Sequence, residues 1–278
     1  MRKYTRAEME QVYNSILGER LPGRGPQGIN EASTTQRYEI GARLAIKDRV
    51  YRYAHVIAGG TGLTAGWGAS NIGTLRERAA DLIVVGGAVG TRQLTLKAEF
   101  PVALNEFAGG FIMGGSDVAP GQSIMVPVLS NTAAVAAADS YTVILEHGLT
   151  GVLDNGGGLT IVGNIWANVD ITGVLPVGSA GFHTVVGLPT INVVADSYTW
   201  LQTWGMCIVV GAEATGDTVY ERTVQFDVAG SIQRLNDFTA PNNIQIAGVL
   251  ATMSRYIAAP GGVAGNHSGN TIILMLFP

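Results

Sequence analysis

The sequence predicts an all-β fold: a sandwich or barrel-type body preceded by an N-terminal helix and an extended arm. Three observations lead there. Beyond residue 36 the apolar residues come in short β-like runs, cut by many of the 38 glycines and by Asn, Asp and Pro, as in sandwiches and barrels rather than βαβ folds. Only one segment carries a convincing helical period. Charge is also unevenly placed: residues 1–53 hold ten of the 17 Lys+Arg against six acids, while Ala98 to Glu221 contains no cation at all.

The helix is expected over residues 5–18. Thr5 and Glu8 form a capping box, each side chain able to satisfy an orphan backbone N–H of the first turn. Met9, Val12, Tyr13, Ile16 and Leu17 recur at i, i+3, i+4, i+7 and i+8 as one apolar stripe, and Gly18 supplies a left-handed stop. A lone helix of this length is marginal in water, so the stripe must dock on something. Leu21-Pro22-Gly23-Arg24-Gly25-Pro26-Gln27-Gly28 reads as a tether. These features make residues 1–35 an arm, with Met9, Val12, Tyr13, Ile16, Leu17, Arg20 and Arg24 as its partner-binding residues.

After the arm the period switches to two. Tyr38–Ile46 alternates and turns through Lys47-Asp48-Arg49 into Val50–Val56, a hairpin. Further strands are expected at Leu82–Val85, Gln93–Ala98, Phe111–Met113, Ile124–Leu129, Tyr141–Leu145, Leu159–Val162, Thr190–Val194, Trp200–Trp204, Cys207–Val210, Thr223–Val228, Ile244–Ala251 and Thr271–Leu276. Ala138-Asp139-Ser140-Tyr141-Thr142 recurs as Ala195-Asp196-Ser197-Tyr198-Thr199, which predicts equivalent entries from turn into strand. The body divides provisionally into β-rich regions 36–130 and 131–278, able to form one continuous domain.

Charged residues make up 14% of the chain and mean hydropathy is +0.26, values of a membrane protein or of a surface hidden in an assembly. The membrane reading fails. The longest charge-free run, Ile171–Ala195, is broken by Pro176, Pro189 and several glycines, and a spanning helix needs ~20 mostly apolar residues. Met1-Arg2-Lys3 is followed by Glu8 and Glu10 rather than an apolar segment, so no secretory signal is expected. The one cysteine, Cys207, sits in an apolar run and reads as a small buried hydrophobe. A net charge of −4 gives no nucleic-acid signature.

No catalytic motif stands out. Gly60-Thr61-Gly62-Leu63-Thr64-Ala65 fits GxGxxA, but Gly66-Trp67-Gly68 follows where a dinucleotide site needs a helix N-terminus. No Walker lysine or GxSxG elbow is present. His55, His147, His183 and His267 are scattered without ligand spacing. Asp117, Asp154, Asp170, Glu213 and Asp217 lie within two residues of Gly or Asn as turn acids do, and spacing alone leaves open a calcium site or a glycosidase pair built from them. The expectation is no enzyme, no cofactor and no metal. Tyr198, Trp200, Gln202 and Trp204 fall on one face of an expected strand. They read as core or subunit-interface aromatics, with a sugar-stacking platform as the alternative.

Several segments together resemble a group of tailed-phage virion proteins. They are Arg37-Tyr38-Glu39-Ile40-Gly41 with Asp48–Tyr53, then Phe107-Ala108-Gly109-Gly110-Phe111-Ile112 with Pro120-Gly121-Gln122-Ser123-Ile124, then Val186–Ile191 leading into Ser197–Gly205. The resemblance implies a β-rich capsid decoration (cement) or related structural protein at the virion surface, made in the host cytoplasm. It implies no catalytic residues. The expected partners are a major capsid protein and neighbouring copies of the chain, as a homotrimer, without direct nucleic-acid or membrane contact. A tail, baseplate or fibre-anchoring protein and a carbohydrate-binding β-module are the alternatives.

Overall fold

The computed structural model of the chain describes residue 21 and residues 24–71, 83–98, 101–115, 123–154, 159–171, 184–211, 222–226, 230–235, 245–252 and 270–275. Every regular element among them is a β-strand. In chain order these begin with β1 (Arg43–Ile46), β2 (Arg49–His55), β3 (Ala69–Asn71), β4 (Ile83–Val85), β5 (Gln93–Lys97) and β6 (Phe111–Gly114). Next come β7 (Ile124–Asn131), β8 (Ser140–Leu145), β9 (Thr160–Val162), β10 (Val169–Ile171) and β11 (Val185–Pro189). The last are β12 (Tyr198–Val209), β13 (Thr223–Phe226), β14 (Ile232–Arg234), β15 (Gln245–Thr252) and β16 (Asn270–Met275). The expected helix at 5–18 lies outside the described residues.

The chain forms two compact units, residues 1–72 with 166–278 and residues 73–165. The position 130/131 lies inside β7. Strand pairing sets the true boundaries, because β3 pairs with β10 and β11, far along the chain, which no local composition shift announces.

In the first unit, ten antiparallel strands run β10-β3-β11-β12-β16-β15-β13-β14, with β2 pairing β12 and β1 pairing β2. The twelve-residue β12 is its spine. Two features shape it. A bulge opposite β2 matches Gln202 to Tyr51 but Trp204 to Val50. Because side chains alternate, the extra residue turns Trp204 to the face opposite Trp200, so the expected common face stops at Gln202. Gly205, at φ +91°, then lets the backbone approach Asp48 O, which a Cβ would strike. The strand continues through it because β16 pairs on both sides of the glycine, so Trp200–Trp204 and Cys207–Val210 are one strand. Among its described residues, Tyr38, Leu44, Tyr51, Tyr53 and Trp200 form one core cluster, and Val185, Leu188, Val209, Val224, Phe226 and Ile232 lead another.

In the second unit, six antiparallel strands run β4-β5-β8-β7-β6-β9. Alternate residues, among them Leu94, Leu96, Ile112, Val126, Val128, Val143, Leu145 and Ile161, bury into one core with Phe107 and Tyr141. Asn131 ties the loop before β6 to β7. Its Oδ1 accepts from Phe107 N at 2.8 Å, and its Nδ2 donates to Ala103 O and Thr132 O at 2.9 Å each.

The repeated Ala-Asp-Ser-Tyr-Thr segments enter different sheets, at β8 and β12. Ala138 N donates to Ala98 O and Ala98 N donates back to Asp139 O; Asp196 N donates to Val56 O and Val56 N donates back to Ser197 O. Ala138 and Asp196 both carry positive φ, 67° and 55°. The backbone device is the same, but it is displaced by one residue relative to the sequence repeat.

Candidate functional site

Gln27, in the middle of the expected tether, is only 3% exposed. Its backbone N–H donates to Tyr38 Oη at 3.3 Å, and its carbonyl accepts from Trp200 Nε1 at 3.1 Å. Its side chain receives the Tyr53 hydroxyl at 2.7 Å and donates to Glu31 O and Tyr198 O, each at 2.8 Å. Ser33 and Tyr198 exchange both backbone hydrogen bonds. Thr190 Oγ1 donates to Ile29 O at 2.7 Å. The described part of the arm is thus strapped to the body rather than hanging as a linker, since each buried polar group finds its partner there. Flexible composition hid this: glycine and proline let the strand-less chain follow the surface closely, while one glutamine supplies the specificity.

Around Gln27 the aromatics close up. Tyr38 and Tyr53 each lie 5.0 Å from Trp200, and Tyr53 stacks on Tyr198 at 6.0 Å with planes 11° apart. Trp200 is 0% exposed and is a core aromatic with its N–H engaged, not a sugar platform. Tyr198 and Trp204 are half-buried. Burial raises the pKa of Tyr51, Tyr53 and Tyr198, with the neighbouring Asp196 charge adding to the rise at Tyr198. His55 sits on the Tyr198 ring at 4.6 Å and its Nε2 lies 3.2 Å from Asp196 Oδ1. Arg24 is exposed, its N–H donating to Leu21 O. Met9, Val12, Tyr13, Ile16, Leu17 and Arg20 lie outside the described residues.

The glycine-rich segment already holds an anion of its own. Asp170 on β10 is buried, its Oδ1 accepting from Gly62 N at 2.9 Å and Ile171 N at 2.8 Å and its Oδ2 from Thr61 N at 2.9 Å. A Cβ on Gly60 would sit 2.5 Å from Asp170 Oδ2. The backbone donors a phosphate would need are turned onto a carboxylate, so this loop is a structural clasp. Asp170 is where sequence reading missed a role; its partner glycines lie over a hundred residues away. Among the described residues, no three His, Cys, Asp or Glu side chains gather as a metal site, and no helix is long and apolar enough to cross a membrane.

Two surfaces remain. In the second unit, β6 to β9 contain not one charged residue. On β6, β7 and β9 the outward positions are Phe111, Met113, Met125, Pro127, Leu129, Ser130, Thr160 and Val162, and on β8 they are Ser140, Thr142 and Ile144. Met125 is 58% and Leu129 61% exposed. An antiparallel sheet face meant for water alternates apolar-in with polar-out; this outward face is uncharged and apolar across β6 and most of β7, with hydroxyl side chains at Ser130, Ser140, Thr142 and Thr160. In the first unit, a groove of about 570 Å³ runs along β12 beyond Gly205, lined by Arg49, Gly66, Leu188, Pro189, Met206 and Ile208 among others. Met206 is 50% and Ile208 70% exposed.

No protein family, no curated protein and no solved structure matches the chain.

Proposed function

We propose that this chain is a non-enzymatic virion structural protein, a capsid decoration protein that stabilises a phage head through arm-mediated contacts with a major capsid protein and with its own copies. The observation that carries this reading is the uncharged outward face of β6–β9, with Phe111, Met113, Met125, Pro127 and Leu129 adjoining on β6 and β7, a surface suited to being covered in an assembly. The cation-free stretch that contains it and the segments resembling phage virion proteins point the same way. An arm strapped to its body as far as Gln27, with an apolar stripe expected beyond, adds avidity without enlarging the body's own contact. The β body is read as sandwich or barrel-type. The carbohydrate-module reading loses its platform with Trp200 buried.

Gln27 relocates the deciding cut. Removing residues 1–28 deletes a core contact, whereas removing residues 1–20 spares it. Particles should lose the 1–20 deletion while that protein still folds, and localisation by electron microscopy should place the full-length chain on the head. Unchanged occupancy of the deletion would sink the arm reading, and density at a tail or baseplate would replace head decoration with an anchoring role.

A further inference from the structure

We propose that the groove along β12 binds a medium-chain alkyl carboxylate, its head group on Arg49 and its tail lying toward Ile208. This site goes beyond the virion reading and does not depend on it.

The groove is polar at one end and apolar at the other. Thr190 and Gln202 line it next to the strap, where Thr190 Oγ1 donates to Ile29 O at 2.7 Å. Gln202 Nε2 donates to Trp204 O at 3.1 Å and to Met206 O at 2.9 Å, so one amide braces both sides of Gly205. Arg49 stands at that glycine: a Cβ on Gly205 would lie 3.0 Å from Arg49 Cγ, and its absence leaves room for the arginine stem. Farther along, Met206, Ile208 and Val210 give apolar lining. Gly66 bridges the far end, its N–H donating to Pro189 O at 3.1 Å and its carbonyl accepting from Val210 N at 2.9 Å. A peptide would carry its own N–H and C=O groups to an end where these backbone groups already bond one another, at a cost in unsatisfied polar groups. An alkyl chain carries none. Gly205 to Val209 is four residues, about 14 Å at ~3.4 Å per residue, a span that a medium-length tail covers. The volume of about 570 Å³ falls within the ~300–1,000 Å³ of small-molecule sites.

Charge selects the head group. Among the described residues Arg49 is the one charged group lining the groove, and it makes no ion pair or side-chain hydrogen bond with any of them. Its planar fork matches a carboxylate with two parallel hydrogen bonds. One positive charge meets one negative charge: a phosphate monoester would bring a second with no cation to answer it, and a cationic head would be repelled. Tyr51 supplies a further sign. It is 0% exposed, and its hydroxyl has no hydrogen-bond partner among the described residues. Burial raises the pKa of that hydroxyl, with Arg49 opposing the rise and Cys207 adding to it, so it lies within electrostatic reach of two lining residues. On β2 it shares a face with Arg49, two residues away. A buried donor left unmet is uncommon; beside an unpaired guanidinium it is a second donor for one oxyanion.

The test titrates the full-length protein with sodium decanoate by isothermal calorimetry, below the micellar range and at constant ionic strength. About one decanoate per chain should bind, with a Kd below about 100 μM. Butyrate lacks the tail and decyltrimethylammonium reverses the head charge, so each should bind at least about ten-fold more weakly. Arg49→Gln removes a charge-assisted hydrogen-bonding group and should weaken decanoate at least about ten-fold. Ile208→Asp, which sets a like charge on the wall along the tail, should weaken it as much, with circular dichroism unchanged in both variants. No binding to the full-length chain, as when its own front segment or a second copy already fills the groove, overturns the proposal. So does decanoate binding that Arg49→Gln leaves unaltered, or decyltrimethylammonium binding as tightly as decanoate. Decanoate binding as expected in a protein that fails to occupy particles would defeat the virion function and leave this site standing.

Discussion

Replacing Gln27 by Met keeps the side chain's length and removes its hydrogen bonding, and the surrounding geometry sets the cost. Three bonds go: the Tyr53 hydroxyl to Oε1 at 2.7 Å, and Nε2 to Glu31 O and Tyr198 O at 2.8 Å. The losses are unequal. Tyr198 O keeps Ser33 N as a donor, and Glu31 O keeps Thr199 Oγ1 at 3.5 Å. The Tyr53 O–H, in a fully buried residue, loses its acceptor. A stranded buried donor costs about 1–3 kcal/mol, and each partly replaced bond about 0.5–1, so the change should cost about 3 kcal/mol. At about 2–4 °C per kcal/mol for a protein of this size, the transition reported by near-ultraviolet Tyr and Trp dichroism should fall by roughly 6–12 °C. Deletion of residues 1–20 should leave that transition in place, and deletion of 1–28 should reproduce the Gln27→Met loss or exceed it. A Gln27→Met protein melting within about 2 °C of the parent, or two deletions of equal effect, would refute the strap.

Three further outcomes are expected. Asp170→Asn sets an amide N–H against at least one of the backbone donors from Thr61, Gly62 and Ile171, so the first unit should lose about 2 kcal/mol in urea unfolding; an unchanged midpoint would remove Asp170 from the clasp. Asn131→Leu strands Phe107 N and should cost about 3 kcal/mol, read as accelerated hydrogen exchange in the second unit's core. Burial raises Tyr51, Tyr53 and Tyr198 above their ordinary value near 10. A raised folded pKa means that the unfolded chain releases these protons first, so stability is full below pH ~10 and falls as pH rises past it. Tyr51, whose buried hydroxyl finds no hydrogen-bond partner among the described residues, can be changed to Phe with little loss at pH 7 and should lessen the alkaline fall; a large loss at neutral pH would contradict this.

The β texture is legible because alternation is local: β5, β6, β7, β8, β13, β15 and β16 lie within about two residues of the runs read from sequence. The failures are non-local. β3 is Ala-Ser-Asn and β10 Val-Asp-Ile, buried by neighbours far along the chain rather than by their own hydrophobicity. Thr190–Val194 reads as a strand, yet pairing places β11 one segment earlier, at Val185–Pro189. Gly205 has the look of a break, and only the β16 partner explains its place inside a strand. At the site, the aromatics are visible in the sequence, but Gln27 is hidden in a segment whose glycines and prolines resemble a linker. Asp170 looks like an ordinary turn acid. Both act through partners brought near by tertiary structure, which no spacing rule encodes.

The strand β12 carries the arm's anchorage at Tyr198 and Trp200 and the groove at Met206 and Ile208. A load applied through both the strap and the groove would pull at opposite ends of a single strand. Inter-strand hydrogen bonds lie perpendicular to the strand axis, so such tension would shear the ladders to β2 and β16 as sets instead of peeling them one bond after another. Such a load would be resisted by many bonds acting in parallel, so that β12 would work as a tie rod through its own sheet.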